Sequence, residues 1–279
     1  MEHGLYVSLF ALGLFLGMLI LLEVGRRIGV RRLAEDPKGA EAGVGTVEGA
    51  VLALLGLLIA FTFSGAASRF DTRRQLIIEE TNDIGTAYLR LDLLPVDAQP
   101  GLREKFRGYV ETRLEVYRKL PDIAAAKEEM AKANRLQVEI WRQSVAASRA
   151  QGASEAAPLL LLPALNAMID ITTTRTMAAQ IHPPMIIFAL LFGLALTSSL
   201  LVGSGMASSK ARNWLHMLGL AFVMAVSVYV ILDIEYPRLG FIRVDDFDQA
   251  LVDLRGHGPG RRDIDHRIQR GQEQHRRRG

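Results

Sequence analysis

Four uncharged, mainly apolar stretches dominate the pattern of hydrophobic and polar positions along the chain. They cover residues 4–22, 49–68, 183–209 and 213–232 and contain no acidic or basic residue apart from His216. A hydrocarbon core of about 30 Å needs roughly 20 apolar residues at a rise of 1.5 Å each, so each stretch is long enough to cross a bilayer as a helix. The pattern predicts an all-α membrane protein with four transmembrane helices.

The first stretch fits a membrane anchor better than a secretory signal peptide. A signal peptide carries its positive charges before the apolar run. Here the nearby arginines follow the run, at positions 26, 27, 31 and 32. We therefore expect this segment to remain as the first span.

The polar region between the second and third stretches is predicted to be an extramembrane helical bundle. Apolar residues recur in it at helical spacing, without the period-two alternation of a strand. Pro95 and Pro100 divide the first helix from the second, Asp122 is placed to cap the third, and the segment 182–184 ends the fourth. The first and last helices are expected to be direct extensions of spans two and three.

These patterns divide the chain into eight segments. In order they are a first transmembrane helix (1–23), a basic loop containing Pro and Gly (24–45), a second transmembrane helix (46–68), the helical extramembrane domain (69–182), a third transmembrane helix (183–209), a fourth (213–233), a polar link with a short amphipathic helix (234–255) and a basic disordered tail (256–279).

Composition narrows the chemistry further. The chain has no cysteine, which excludes disulfides, thiol catalysis and Cys-ligated zinc. The arginine-rich tail fits contact with anionic headgroups better than nucleic-acid binding. No catalytic or phosphate-binding motif is recognisable, so we expect neither an enzyme nor a bound cofactor.

Three segments carry a resemblance to a known family. They are "FTFSGAASRFDTRRQLIIEETN" in and after span two, "LPALNAMID" before span three and "LDIEYPRLGFIRV" after span four. Together they resemble the bestrophin-like family of bacterial multi-pass membrane proteins, over about residues 47–254, with the first span and the basic tail outside. This family is distantly similar to bestrophins, which are pentameric anion channels with four spans and a helical cytosolic region. The resemblance implies a channel-like homo-oligomer, a pentamer if it follows bestrophins, whose second span lines the pore.

The resemblance also suggests a candidate calcium site. The acidic run Asp245, Asp246 and Asp248 is similar to the calcium-binding acidic cluster after the last bestrophin span. Ca²⁺ needs six or more oxygen ligands, and few are visible here. The same three carboxylates would cap the small helix that follows, and we favour that interpretation, so no metal site is expected.

One face of span two carries small side chains within an arc of about 80°. Its members are Gly49, Ala53, Gly56, Ala60, Ser64 and Ala67. Such a face either packs closely against another helix in lipid or leaves room for water around a symmetric axis. Phe61 and Phe63 flank it and are candidates for a hydrophobic neck or for ordinary packing, as the bestrophin resemblance implies a constriction on this span. The pore hypothesis rests on Gly56, Ala60, Phe61, Phe63 and Ser64.

Charged residues stand at both ends of span two. Glu48 marks either a vestibule or the membrane interface. Arg69, Arg73 and Arg74 leave the membrane on the same helix. Around a symmetric axis they would concentrate anions, and otherwise they would reach headgroups and pair with acidic residues one or two turns further on.

Polar residues before span three complete the candidate set. Asn166 and Asp170 share a helix face and are expected to dock against a group that includes Arg73, Arg74 and Glu80. A structural salt-bridge network explains them better than catalysis.

The function that fits best is an ion channel in the bacterial inner membrane, with the bilayer, further copies of the chain and small anions as partners. The alternative is a non-conducting, membrane-anchored helical scaffold that binds another protein. The positive-inside rule and the bestrophin resemblance place the helical domain on opposite sides. We favour the cytoplasmic side.

Overall fold

The computed structural model of the chain describes residues 2–35, 44–119, 122–208 and 214–236. Within these ranges the regular structure is entirely helical. The α-helices are α1 (Glu2–Glu35), α2 (Val44–Leu89), α3 (Gln99–Arg118), α4 (Ile123–Ser148), α5 (Ala157–Gln180), α6 (Met185–Gly205) and α7 (Trp214–Glu235). Four stretches, containing α1, α2, α6 and α7, are long and apolar enough to cross a membrane. The expected all-α class with four candidate spans is confirmed.

The described residues form two compact units. Among the described residues, the first unit comprises 2–35, 44–71, 181–208 and 214–236, and the second comprises 72–119 and 122–180. The first unit therefore contains α1, α6, α7 and the start of α2. The second contains the rest of α2 with α3, α4 and α5.

The core of the first unit is made of apolar side chains from all four of its helices. Its fully buried members include Met18 on α1, Leu55 on α2, Leu191 on α6 and Ala221 on α7. In addition, α1 and α6 approach so closely that a Cβ at Gly203 would overlap the backbone carbonyl of Leu22. Small residues allow this backbone approach, which is how helices commonly associate in lipid.

The second unit has a larger apolar core. It is lined by buried Phe106 and Tyr109 of α3, Ile140 of α4 and Leu165 of α5. Asp122 caps α4 as expected, because its carboxylate accepts a hydrogen bond from the Ala125 N–H at 3.1 Å. This cap satisfies one of the free N–H groups of the first helical turn.

α2 runs without interruption for 46 residues and contributes to both units. No proline lies within it, and the helix ends in a 3₁₀ turn at Arg90–Leu93, just before Pro95. The prediction that the helix continues beyond span two is confirmed. α5 and α6 are instead separated by the non-helical residues 181–184, so the last bundle helix is not a direct extension of span three.

The expected loop at 24–45 is wrong over its first part, because α1 continues to Glu35. Gly25 and Gly29, which favour a loop in isolation, are buried against backbone atoms of α6. Tertiary packing therefore overrides their weak helix propensity. The small amphipathic helix expected near residue 250 and the basic tail lie outside the described residues.

Candidate functional site

The small face of α2 is exposed within the chain. Gly49, Gly56, Ala60 and Ser64 are all exposed, whereas Leu55 on the other side of the helix is completely buried. A Cβ added at Gly49 or Gly56 would have no described atom of the chain outside its own helical turn within 4 Å. Among the described residues, this face is therefore not used for packing.

Phe61 and Phe63 flank the small face and are also exposed. The exposed fraction is 68% for Phe61 and 44% for Phe63. Successive residues of a helix are 100° apart, so the two rings project from nearly opposite sides of the small face. The arrangement presents small, uncharged side chains between two aromatic ones.

Glu48 lies near the start of α2 and contacts the end of α6. Its carboxylate occupies the space that a side chain at Gly205 would need. Oε1 is buried and has no hydrogen-bond partner among the described residues. The sequence left open whether Glu48 stands at a vestibule or an interface, and the structure adds a specific neighbour, Gly205.

Arg69, at the end of span two, forms an ion pair with α7. It donates from Nε and Nη2 to the Glu235 carboxylate, with Nη2–Oε2 at 2.8 Å. His182 Nδ1 lies 3.1 Å from Oε1 of the same carboxylate, and the His182 ring stacks on Tyr236. Glu235 is completely buried, so this cluster fixes three segments of the first unit around one carboxylate.

The observed partner of Arg69 differs from the expected ones. The sequence suggested acidic residues one or two turns further along α2, but the carboxylate comes from Glu235, 166 positions away. Arg73 donates from Nε to the carbonyl oxygen of Ala178 at 3.2 Å within the second unit. Arg74 is half-buried on α2.

Glu80 is the centre of a buried ionic group in the second unit. Arg113 donates from Nε to Oε1 at 2.6 Å, and Arg175 donates to Oε2. The Tyr117 ring lies against both guanidinium groups, with its centroid 4.4 Å from Cζ of Arg175. The side chains of Glu80, Arg113 and Arg175 are 0%, 1% and 8% exposed, so a buried carboxylate binds two buried guanidinium groups.

Asn166 and Asp170 are not part of this network, contrary to expectation. Both are exposed on α5. Arg175 lies five residues beyond Asp170 and therefore about 140° around the helix. Arg175 lies on the buried face of α5, where it contacts Glu80. Asn166 and Asp170 lie on the opposite, exposed side of the same helix.

Burial also affects Asp83, on the following turn of α2. Desolvation, reinforced by the negative charge of Glu79, holds the pKa of Asp83 above its usual value. The described residues contain no group of three or more His, Asp or Glu side chains able to hold a metal ion. Asp245, Asp246 and Asp248 lie outside the described part.

The sequence did not indicate Arg113 and Tyr117 as neighbours of Glu80, or Glu235 as the partner of Arg69. Arg113 could have been found, because it interrupts the apolar face of α3 formed by Tyr109, Val110 and Leu114. Glu235 gave no comparable signal, since it follows the end of the last apolar stretch as an ordinary polar residue would.

Comparison with known families decides the relationship. A family model described as the bestrophin-like domain matches residues 12–247. The chain belongs to the bestrophin-like family. The predicted resemblance is confirmed, but it was wrong to leave the first span outside it, because the match begins within α1.

Solved structures share the bestrophin-like fold. A point mutant of a bacterial bestrophin homologue from Klebsiella pneumoniae has a TM-score of 0.63 at 14% identity, covering 86% of this chain and 98% of that one. A second structure, a point mutant described as a membrane protein, has a TM-score of 0.60 at 16% identity, covering 87% of this chain and 99% of that one. No curated protein matches the chain. At identities this low, the similarity establishes the fold alone.

Proposed function

We propose that the chain is one subunit of a homo-oligomeric ion channel with anion preference, in which α2 lines the pathway. The observation that carries the proposal is the exposed face of α2. Gly56, Ala60 and Ser64 are free of packing within the described chain, while Leu55 and Ala66 on the other side are completely buried. One side of α2 thus holds the subunit together and the other is free to face a pathway.

The side chains of this face suit a pore with a hydrophobic neck. Gly56, Ala60 and Ser64 occupy little space, so a ring of such helices leaves room for water. Phe61 or Phe63 supplies an apolar constriction, and constrictions of this kind gate by dewetting. Glu48 is proposed to stand at one mouth of the pathway.

The anion preference rests on the family and not on Arg69. The Glu235 carboxylate, 2.8 Å from Nη2 of Arg69, compensates the positive charge of Arg69. The attraction between Arg69 and an anion in the pathway is therefore weaker. Bestrophins, to which the family is distantly similar, are anion channels and pentamers. We propose anion preference and a pentamer for this chain on the basis of that relationship. On the same basis we propose that the subunit has no enzymatic activity.

The proposed location is the bacterial inner membrane. The second unit, predicted as the extramembrane domain of residues 69–182, is proposed to lie on the cytoplasmic side. Its large apolar core with a polar surface is the composition expected of a bundle in water. The Glu80 network is proposed to be structural, because its three charged members, Glu80, Arg113 and Arg175, are buried.

The test is halide flux through liposomes that contain the purified protein. We expect flux from the wild type that empty liposomes lack, and faster flux when Phe61→Ala or Phe63→Ala removes an aromatic constriction. Ala60→Trp should block flux, because its indole would fill the space beside the small face.

Phe222→Ala is the matched control. Phe222 lies on α7, outside the proposed pathway, and is 61% exposed. Phe222→Ala therefore removes the same exposed aromatic ring without changing the pathway. Its flux should equal that of the wild type. Absence of flux from every protein, at verified incorporation and over a range of Ca²⁺ concentration and pH, would reject the channel in favour of a helical scaffold.

A further inference from the structure

α1 is longer than the membrane span that it contains. Its 34 residues extend about 51 Å, whereas the hydrocarbon core is about 30 Å thick. The uncharged part ends at Leu22, and the remaining turns carry Arg26, Arg27, Arg31 and Arg32. These turns, residues 23–35, are called the α1 extension below.

The α1 extension is held by α6 through its glycine face. A Cβ at Gly25 would overlap the backbone of Leu200, and a Cβ at Gly29 would overlap that of Ser204. At 100° per residue, Arg27 and Arg31 lie about 200° from Gly25 and Gly29 respectively. Packing against α6 therefore directs these two arginines away from the helix pair.

The arginines are within reach of the lipid headgroup layer if the hydrocarbon core ends near Leu22. Arg26 and Arg27 are four and five residues beyond Leu22, which is about 6–8 Å along the helix. Headgroup layers are about 5–8 Å thick on each side of the hydrocarbon. Arg31 and Arg32 start further out, but helix side chains lean toward the N-terminus, which here is the direction of the membrane. Their long stems allow the guanidinium groups to reach back to the same layer.

Apolar side chains accompany the arginines. Val24, Ile28 and Val30 are 39%, 38% and 44% exposed. Val24, Ile28 and Arg31 follow one another at helical spacing along one side, so the apolar surface lies between the span and the outer arginines. An amphiphile with an acyl chain and a negative head would contact both.

We infer that the α1 extension binds the headgroup of an anionic phospholipid through Arg31, with Arg27 one turn before it on the same side and Arg32 about 100° around the helix from it. Arg27 already pairs with Glu23 at 3.0 Å and contributes less net attraction. Arg31 and Arg32 are exposed and present two adjacent positive charges. The inference does not depend on whether the protein conducts ions.

Native mass spectrometry of the purified protein tests the inference. We expect the wild type to retain phosphatidylglycerol in preference to phosphatidylcholine when both are supplied equally. Arg31→Gln combined with Arg32→Gln should weaken phosphatidylglycerol association at least about fivefold, since each basic residue near an anionic surface contributes roughly that factor. Millimolar inorganic phosphate should not displace the lipid, because phosphate has no acyl chain to contact the apolar side chains of the α1 extension.

Two further variants keep the result interpretable. Arg135→Gln combined with Arg142→Gln removes the same charge from exposed positions on α4 and should leave lipid binding unchanged. Arg31→Lys combined with Arg32→Lys should retain most of the preference. Equal retention of the two lipids by the wild type would overturn the inference, as would an equal loss in the α4 variant. Displacement by phosphate would also overturn it, in favour of a simple anion site.

Discussion

The two units of the chain are stabilised in different ways. In the first, Gly25 and Gly203 bring the backbones of α1 and α6 into contact. In the second, an apolar core surrounds a buried carboxylate that binds Arg113 and Arg175. Lipid offers no hydrophobic drive for two helices to associate, so close backbone packing supplies the attraction. The second unit has a larger apolar core, and its ionic group joins α2, α3 and α5.

Neutralising Glu80 should have the largest effect on stability. Glu80→Gln removes the carboxylate that Arg113 and Arg175 share in a buried site, which we expect to cost about 3–5 kcal/mol of unfolding free energy. Thermal and denaturant unfolding of the detergent-solubilised protein measure this. The control is Glu115→Gln, because Glu115 pairs with Arg118 at an exposed site where a pair contributes about 0–1 kcal/mol. Equal costs for the two variants would show that the buried network does not hold the second unit.

A methyl group at Gly203 should be the next most harmful change. Gly203→Ala places a Cβ against the carbonyl of Leu22, so α1 and α6 must separate, at a cost of about 1–3 kcal/mol. Gly193→Ala on the same helix is the control, because a Cβ there meets no described atom outside its own turn within 4 Å. Thermal unfolding should separate the two variants. Equal melting temperatures would contradict the close approach.

The smallest effect is expected at Gly56. Gly56→Ala adds a methyl group to the exposed face of α2, where a Cβ meets nothing within 4 Å, and alanine favours the helix by up to about 1 kcal/mol. The melting temperature should be unchanged or slightly higher. A clear decrease would mean that this face packs against another copy of the chain, which analytical size determination of the same variant would reveal.

Much of the fold was predictable because its causes are local. Bilayer thickness sets the length of an apolar span, and the absence of proline allowed α2 to continue to Leu89. The Asp122 cap could be identified because the capping carboxylate and the N–H that it accepts from are three residues apart. Signals of this kind are contained within a few turns of sequence.

The contacts of the candidate site were not predictable because they are distant in sequence. Arg69 and Glu235 are 166 positions apart, and Glu80 and Arg175 are 95 apart. Charge alone did not indicate these pairs, because acidic residues one or two turns further along α2 were closer candidates for pairing with Arg69. The same limit applies to the α1 extension, because the packing of Gly25 and Gly29 against α6 joins residues that are distant in sequence.

The pairing of α1 with α6 has a consequence for how the protein is made. Synthesis at about 5–20 residues per second separates Gly25 from Leu200 by roughly 10–35 s. During that interval α1 is already in the bilayer with its glycine groove facing lipid or the insertion machinery. α1 is therefore made well before the helix against which it packs, and a ribosome that stalls before α6 leaves α1 inserted but without this neighbour.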